Sequence, residues 1–169
     1  QEKNALKAVS GMMVVTLLGK VLGLYRDILF ANNYGLGMEA NAFTTASLIP
    51  RTFFDAVFAS AITASFIPVF NEYMGKEGEK RAFSFANVFI TLVGVFTLFF
   101  TVIGMIFAEP FAQAYAAGFD EATLELCTEL LRMLFPTIFF TGLAYCFVGI
   151  LQSMEEFTIP AALSIVSNG

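Results

Sequence analysis

From Ala82 to Ala108 the chain runs 27 residues without a charged side chain. A helix over this stretch reaches about 40 Å at about 1.5 Å per residue, enough to cross the hydrocarbon of a bilayer with some tilt. The remainder offers little to wrap such a segment in water. The chain is 57% hydrophobic and 14% charged, where a soluble domain carries about 25% charge. These features predict an all-α fold, a polytopic bundle of transmembrane helices.

Four membrane-length segments are expected, at about 8–32, 42–70, 82–108 and 126–152, with a truncated fifth from 157. Pro136 should kink the fourth, because proline removes a backbone donor and its ring clashes with the preceding turn. The fifth stops at Gly169 after 13 residues, short of a span, so residues 1–169 read as part of a longer protein. Basic residues alternate between connections. Lys3 and Lys7 precede the first segment, the first loop has none, and the second, Asn71 to Arg81, carries Lys76, Lys80 and Arg81. The third loop, Glu109 to Glu125, has four acidic residues and no basic one. By the positive-inside rule the N-terminus is cytoplasmic. Glu155 and Glu156 mark the end of the fourth segment.

Composition also excludes functions. A net charge of −5 with nine Lys and Arg leaves no basic face for nucleic acid. The absence of His and the presence of two Cys exclude zinc sites built from those ligands. Cys127 and Cys146, 19 residues apart in one expected helix, would stand about 28 Å apart, too far for an internal disulfide. No metal site, cofactor site or catalytic nucleophile is expected.

The informative residues are the charged ones inside membrane-length segments: Lys20, Arg26, Asp27, Arg51 and Asp55. Each costs about 2.5–3.5 kcal/mol near a helix centre unless paired, snorkelled or wetted. Arg51 and Asp55 stand at i and i+4 and can neutralise each other on one face. Lys20 and Asp27 share a face two turns apart. Three cations against two anions nevertheless leave a positive excess, which suits an anionic headgroup, and the planar fork of arginine suits phosphate. The first two helices are therefore expected to face each other across something polar. Gly19 and Gly23, with Ala56, Ser60 and Ala64, supply the small residues that let membrane helices approach closely.

The stretch Lys20-Val21-Leu22-Gly23-Leu24-Tyr25-Arg26-Asp27, followed by Gly35-Leu36-Gly37 and Asn41-Ala42-Phe43, resembles the opening of the MurJ (MviN) family. Ile49-Pro50, Phe66-Ile67-Pro68-Val69-Phe70, Phe135-Pro136 and Phe157-Thr158-Ile159-Pro160-Ala161 continue the resemblance in the same order. The resemblance implies the first helices of the N-terminal lobe of a two-lobe transporter. Such a transporter flips lipid II, an undecaprenyl-pyrophosphate-linked peptidoglycan precursor, across the bacterial cytoplasmic membrane by alternating access.

It also implies a headgroup site at Arg26, which matches the arginine of the family's first helix, with Asp27, Lys20, Arg51, Asn41 and Asp55. Lys20 stands where many members have arginine, and Asn41 where aspartate is common. Phe54, Asp55 and Ala59 occupy the places of a basic pair and an acidic residue, with Arg51 one turn earlier. No enzyme activity and no cofactor follow from the resemblance, and coupling to a membrane potential or a cation gradient does. The implied partners are the lipid-linked anionic substrate, membrane lipids and the remaining helices of the transporter. Another sugar-lipid flippase or exporter of the multidrug/oligosaccharidyl-lipid/polysaccharide exporter superfamily, which the resemblance implies, or a non-transporting membrane assembly subunit, would share many of these features.

Overall fold

The computed structural model describes the backbone of residues 2–168 and the side chains of residues 10–62 and 64–163. Six helices follow one another, with no strand among the described residues: α1 (Glu2–Tyr34), α2 (Met38–Lys76), α3 (Glu79–Ile106), α4 (Ala108–Tyr115), α5 (Glu121–Ser153) and α6 (Thr158–Asn168). They form two compact units. One comprises residues 1–35 and 151–169, the other residues 36–150.

Among the described residues α2, α3 and α5 are long and apolar enough to cross a membrane. The first expected span begins at Ala8 and Val9, whose side chains, like those of Lys3 and Lys7, lie outside the described residues, as do those of the fifth segment after Leu163. Two stretches assigned to loops from sequence are helical. Asn71 to Lys76 continues α2, because the break falls at Gly78, whose φ of 85° only glycine adopts freely. Within the expected third loop, α4 forms because Ala108 and Ala112 bury one face while Glu109 and Pro110 sit in the first turn. An acidic residue and a proline are both favourable there.

In the second unit the N-terminal half of α2 packs on the first half of α5, and its C-terminal third packs on α3. The seam on α2 has an unusual period. Ala42, Ala46, Pro50, Phe54, Phe58, Ile62, Phe66 and Phe70 are all buried, each four residues from the last. At about 100° per residue a four-residue step drifts by about 40° around an α-helix. Two π-helical turns, Asp55–Ala59 and Ile62–Phe66, lie within this run and between Pro50 and Pro68. Their i→i+5 bonds widen the turn and hold the stripe closer to one face. The remaining drift carries the seam from α5 towards α3.

Phenylalanine fills that seam. Phe66 lies 4.9 Å from Phe89, 5.4 Å from Phe70 and 5.7 Å from Phe85 between ring centroids, and Phe58 lies 5.8 Å from Phe100. Where lipid tails are as apolar as the side chains, packing and such ring pairs, worth about 0.5–1.5 kcal/mol each, hold helices together. Cys127 and Cys146 are buried free thiols on α5. The interruption expected at Pro136 occurs at Phe135, between the two helical stretches Glu121–Leu134 and Pro136–Ser153. The Thr101 hydroxyl of α3 donates to the Phe135 carbonyl across 3.3 Å. Beside it, a Cβ on Gly104 would overlap the Phe135 ring.

In the first unit α1 packs on α6, with Gly19 and Gly23 buried. The α5–α6 connection gives the two glutamates distinct roles. Glu155 adopts a positive φ of 62°, and the Glu156 carboxylate accepts the Thr158 and Ile159 backbone N–H groups at 2.8 and 3.3 Å. Those N–H donors hold the Glu156 carboxyl below its ordinary pKa.

Two outcomes follow. Gly104→Ala should destabilise the protein by about 1–3 kcal/mol through overpacking against Phe135, read as a lower melting temperature in detergent. A rise, the usual result of this replacement in an open helix, would contradict the close approach. Because the folded pKa of Glu156 is depressed, its anchoring of α6 is present above the ordinary carboxylate pKa and lost as pH falls through the lowered value. Hydrogen-exchange protection at Thr158 and Ile159, corrected for intrinsic rates, should fall in acid and become pH-independent in Glu156→Gln.

Candidate functional site

Within the second unit the three membrane-length helices present different surfaces. The face of α3 left uncovered carries Val88, Leu92, Val95, Phe96, Phe99, Val102 and Ile106, and that of α5 carries Met133, Phe140 and Phe147. Both surfaces are dominated by large apolar side chains. On α2 the uncovered side carries Asn41, Thr44, Arg51, Thr52 and Asp55, with Leu48 among them. Helical geometry accounts for the grouping. At about 100° per residue, positions 41, 44, 48, 51, 52 and 55 fall within an arc of about 100°. The arc lies opposite the buried Ala42, Ala46, Ile49 and Phe54.

Arg51 and Asp55 pair along this row, Nε to Oδ2 at 4.0 Å, with 82% and 55% of their side-chain surfaces exposed. An open, long ion pair of this kind contributes little in water, and in hydrocarbon the two charges would remain expensive. The row therefore belongs beside water or a polar group. Asn41 donates its side-chain amide to the Leu36 carbonyl at 3.4 Å, at the edge of a hydrogen bond. Ala56, Ser60 and Ala64, expected from their spacing to serve close helix packing, are exposed within this unit.

On α1 the Arg26 guanidinium approaches Asp27 Oδ1 with Nη2 at 3.0 Å and Nε at 3.2 Å. Adjacent helical residues do not face each other, so the arginine reaches sideways around the helix. Half or more of each side chain remains exposed. Lys20 is exposed, and among the described residues it has no ion-pair partner. Neighbouring exposed positions are apolar: Leu17, Leu18, Val21 and Leu24.

Thus Lys20, Arg26 and Asp27 lie in one unit, and Asn41, Arg51 and Asp55 in the other. Within each, the structure brings the adjacent Arg26–Asp27 pair and the one-turn Arg51–Asp55 pair into contact. The hydroxyls of Thr44 and Thr52 escaped the reading of charges alone. Their spacing, seven residues before and one after Arg51, was the available signal. No group of three or more His, Cys, Asp or Glu residues is placed to hold a metal ion among the described residues.

Comparison with known proteins agrees with this architecture. The family described as Lipid II flippase MurJ matches residues 30–168. The probable lipid II flippase MurJ of Buchnera aphidicola subsp. Acyrthosiphon pisum is 34% identical across 98% of this chain and 33% of its own length. The lipid II flippase MurJ of Thermosipho africanus is 30% identical across 92% of this chain and 32% of its own. The probable lipid II flippase MurJ of Bdellovibrio bacteriovorus is 30% identical across 98% and 32%. The chain spans about a third of the length of these curated relatives. No solved structure matches. A family match over most of the chain, with three membrane-length helices behind it, shows a multi-pass membrane protein that belongs to the lipid II flippase MurJ family.

Proposed function

We propose that this chain forms the opening helices of the N-terminal lobe of a transporter that carries lipid II from the inner to the outer face of the bacterial cytoplasmic membrane. The observation that carries this reading is the asymmetry of the second unit. A row of charged and hydrogen-bonding side chains on α2 stands apart from the apolar outer surfaces of α3 and α5. A lipid-linked sugar has the same two-part chemistry, a polar head that must avoid hydrocarbon and a polyprenyl tail that stays in it.

In the proposed cycle the head is bound from the cytoplasmic side by Arg26, Lys20 and Arg51, with Asp27, Asn41 and Asp55 supplying further polar contacts. The transporter then closes inside and opens outside. No covalent bond is broken, so the protein is a carrier and not an enzyme. Its N-terminus is cytoplasmic, and a membrane potential or a cation gradient drives the cycle through the full-length protein. The Arg26 guanidinium suits the pyrophosphate because it donates bidentate, charge-assisted bonds that survive in a site partly shielded from water.

Complementation tests the reading. The full-length protein should rescue a bacterium depleted of its lipid II flippase, and Arg26→Ala at equal membrane abundance should not. Rescue by both would remove Arg26 from the headgroup site, and failure of the abundant native protein would remove lipid II as the substrate. The paired exchange Arg51→Asp with Asp55→Arg separates transport from a scaffold role. It preserves a helix-surface ion pair, and transport should nevertheless fall at least tenfold, a loss of about 1.4 kcal/mol or more in the interaction with substrate.

A further inference from the structure

We propose that the exposed row on α2 recognises the sugar part of the transported lipid, with Thr44 and Thr52 as specificity-determining residues; this rests on the transport function proposed above. The first observation concerns hydroxyl partners. Elsewhere in the second unit, three threonines on the long helices bond back to the carbonyl four residues earlier. Thr91 does so at 2.8 Å, Thr97 at 2.7 Å and Thr128 at 2.9 Å. The exposed Thr137 bonds back to the Leu134 carbonyl, while the half-buried Thr45 and Thr141 make no side-chain hydrogen bond among the described residues. Thr91 is as outward-facing as Thr44 and Thr52. A back-bond of this kind satisfies a hydroxyl that would otherwise meet lipid. Thr44 and Thr52 make no side-chain hydrogen bond among the described residues. Both hydroxyls are therefore available to an outside donor or acceptor.

The second observation is charge. Arg51 and Asp55 offset each other along the row, so the row as a whole attracts a pyrophosphate weakly. It suits a neutral, hydroxyl-rich group. The Asp55 carboxylate accepts from sugar hydroxyls, the Arg51 guanidinium donates to them, and the threonines do both. The positive excess lies on α1 instead, where Lys20 and Arg26 outnumber Asp27.

The third observation is length. From Asn41 to Asp55 the row rises about 21 Å at about 1.5 Å per residue. A pyrophosphate covers a fraction of that distance, whereas a sugar-bearing head can follow it. Leu48, 53% exposed within the row, offers an apolar contact for the C–H face of a pyranose ring.

The experiment compares two probes on the purified full-length protein: undecaprenyl pyrophosphate bare, and the same lipid bearing its disaccharide. The native protein should prefer the sugar-bearing form. The near-isosteric double variant Thr44→Val/Thr52→Val should lose about tenfold in affinity for that form, the effect of one or two neutral hydrogen bonds. Bare undecaprenyl pyrophosphate should bind the variant as it binds the native protein. Thr44→Ser/Thr52→Ser, which keeps both hydroxyls, should restore the preference. Equal weakening of both probes, an unchanged preference in the valine variant, or no preference in the native protein would overturn the assignment of α2 to sugar. Binding of neither probe by the native protein would instead overturn the transport function on which it rests. Matching melting temperatures across the variants establish that folding is preserved.

Discussion

A charged side chain cannot face hydrocarbon cheaply, and the arrangement of the second unit is organised around that constraint. At about 2.5–3.5 kcal/mol for each central charge, Arg51 and Asp55 together would offset much of what an apolar helix gains by inserting. Their weak mutual contact at 4.0 Å does not remove the difficulty. Placing them on the face of α2 opposite its packing seam resolves it only if that face meets water, substrate or polar protein groups. The large apolar side chains of α3 and α5 leave the other surfaces of a kind that lipid tolerates. Sidedness, rather than hydrophobicity alone, is thus the property of this unit that bears on function.

The backbone obeys a related constraint. In a membrane each free N–H or C=O must find a partner within the protein or in a wetted cavity, yet α2 carries Pro50 and Pro68 inside a continuous helix, and α5 carries Pro136. The two helices meet the constraint differently. At the α5 break the Phe135 carbonyl accepts both the Ile138 N–H and the Thr101 hydroxyl of α3. In α2 the bonding pattern shifts to wider turns over Asp55–Ala59 and Ile62–Phe66. The first device fixes a kink to a neighbouring helix, and the second spreads the adjustment along the helix itself.

Much of this was legible in the sequence, and the omissions have identifiable causes. The uncharged run of α3, the break before Pro136 and the charged positions on α2 follow from counting and from proline chemistry. The helix ends were less accessible. Asn71 to Lys76 reads as loop because polar residues begin at Asn71, but no conformational break occurs before Gly78. The helix α4 is one face of alanines in an acidic segment, a weak hydrophobic signal that packing turns into structure. Thr44 and Thr52 were missed because threonine is neutral and is usually satisfied by its own helix. Their lack of a back-bond distinguishes them from the equally exposed Thr91, and their exposure separates them from the buried Thr97.

The four-residue period of α2 was present in the sequence too, and it explains why the π turns occur where they do. A helix built from α turns alone would wind the stripe from Ala42 to Phe70 by about 280° over its seven steps, bringing its large side chains round to the side that holds Arg51 and Asp55. Widened turns subtract from that winding between Asp55 and Phe66, just after the stripe has changed from alanine and proline to phenylalanine at Phe54. The seam can then pass from α5 to α3 while the charged row of the preceding turns stays uncovered. The same irregularity that lengthens the period of packing thereby preserves a polar face on a helix otherwise committed to apolar contacts.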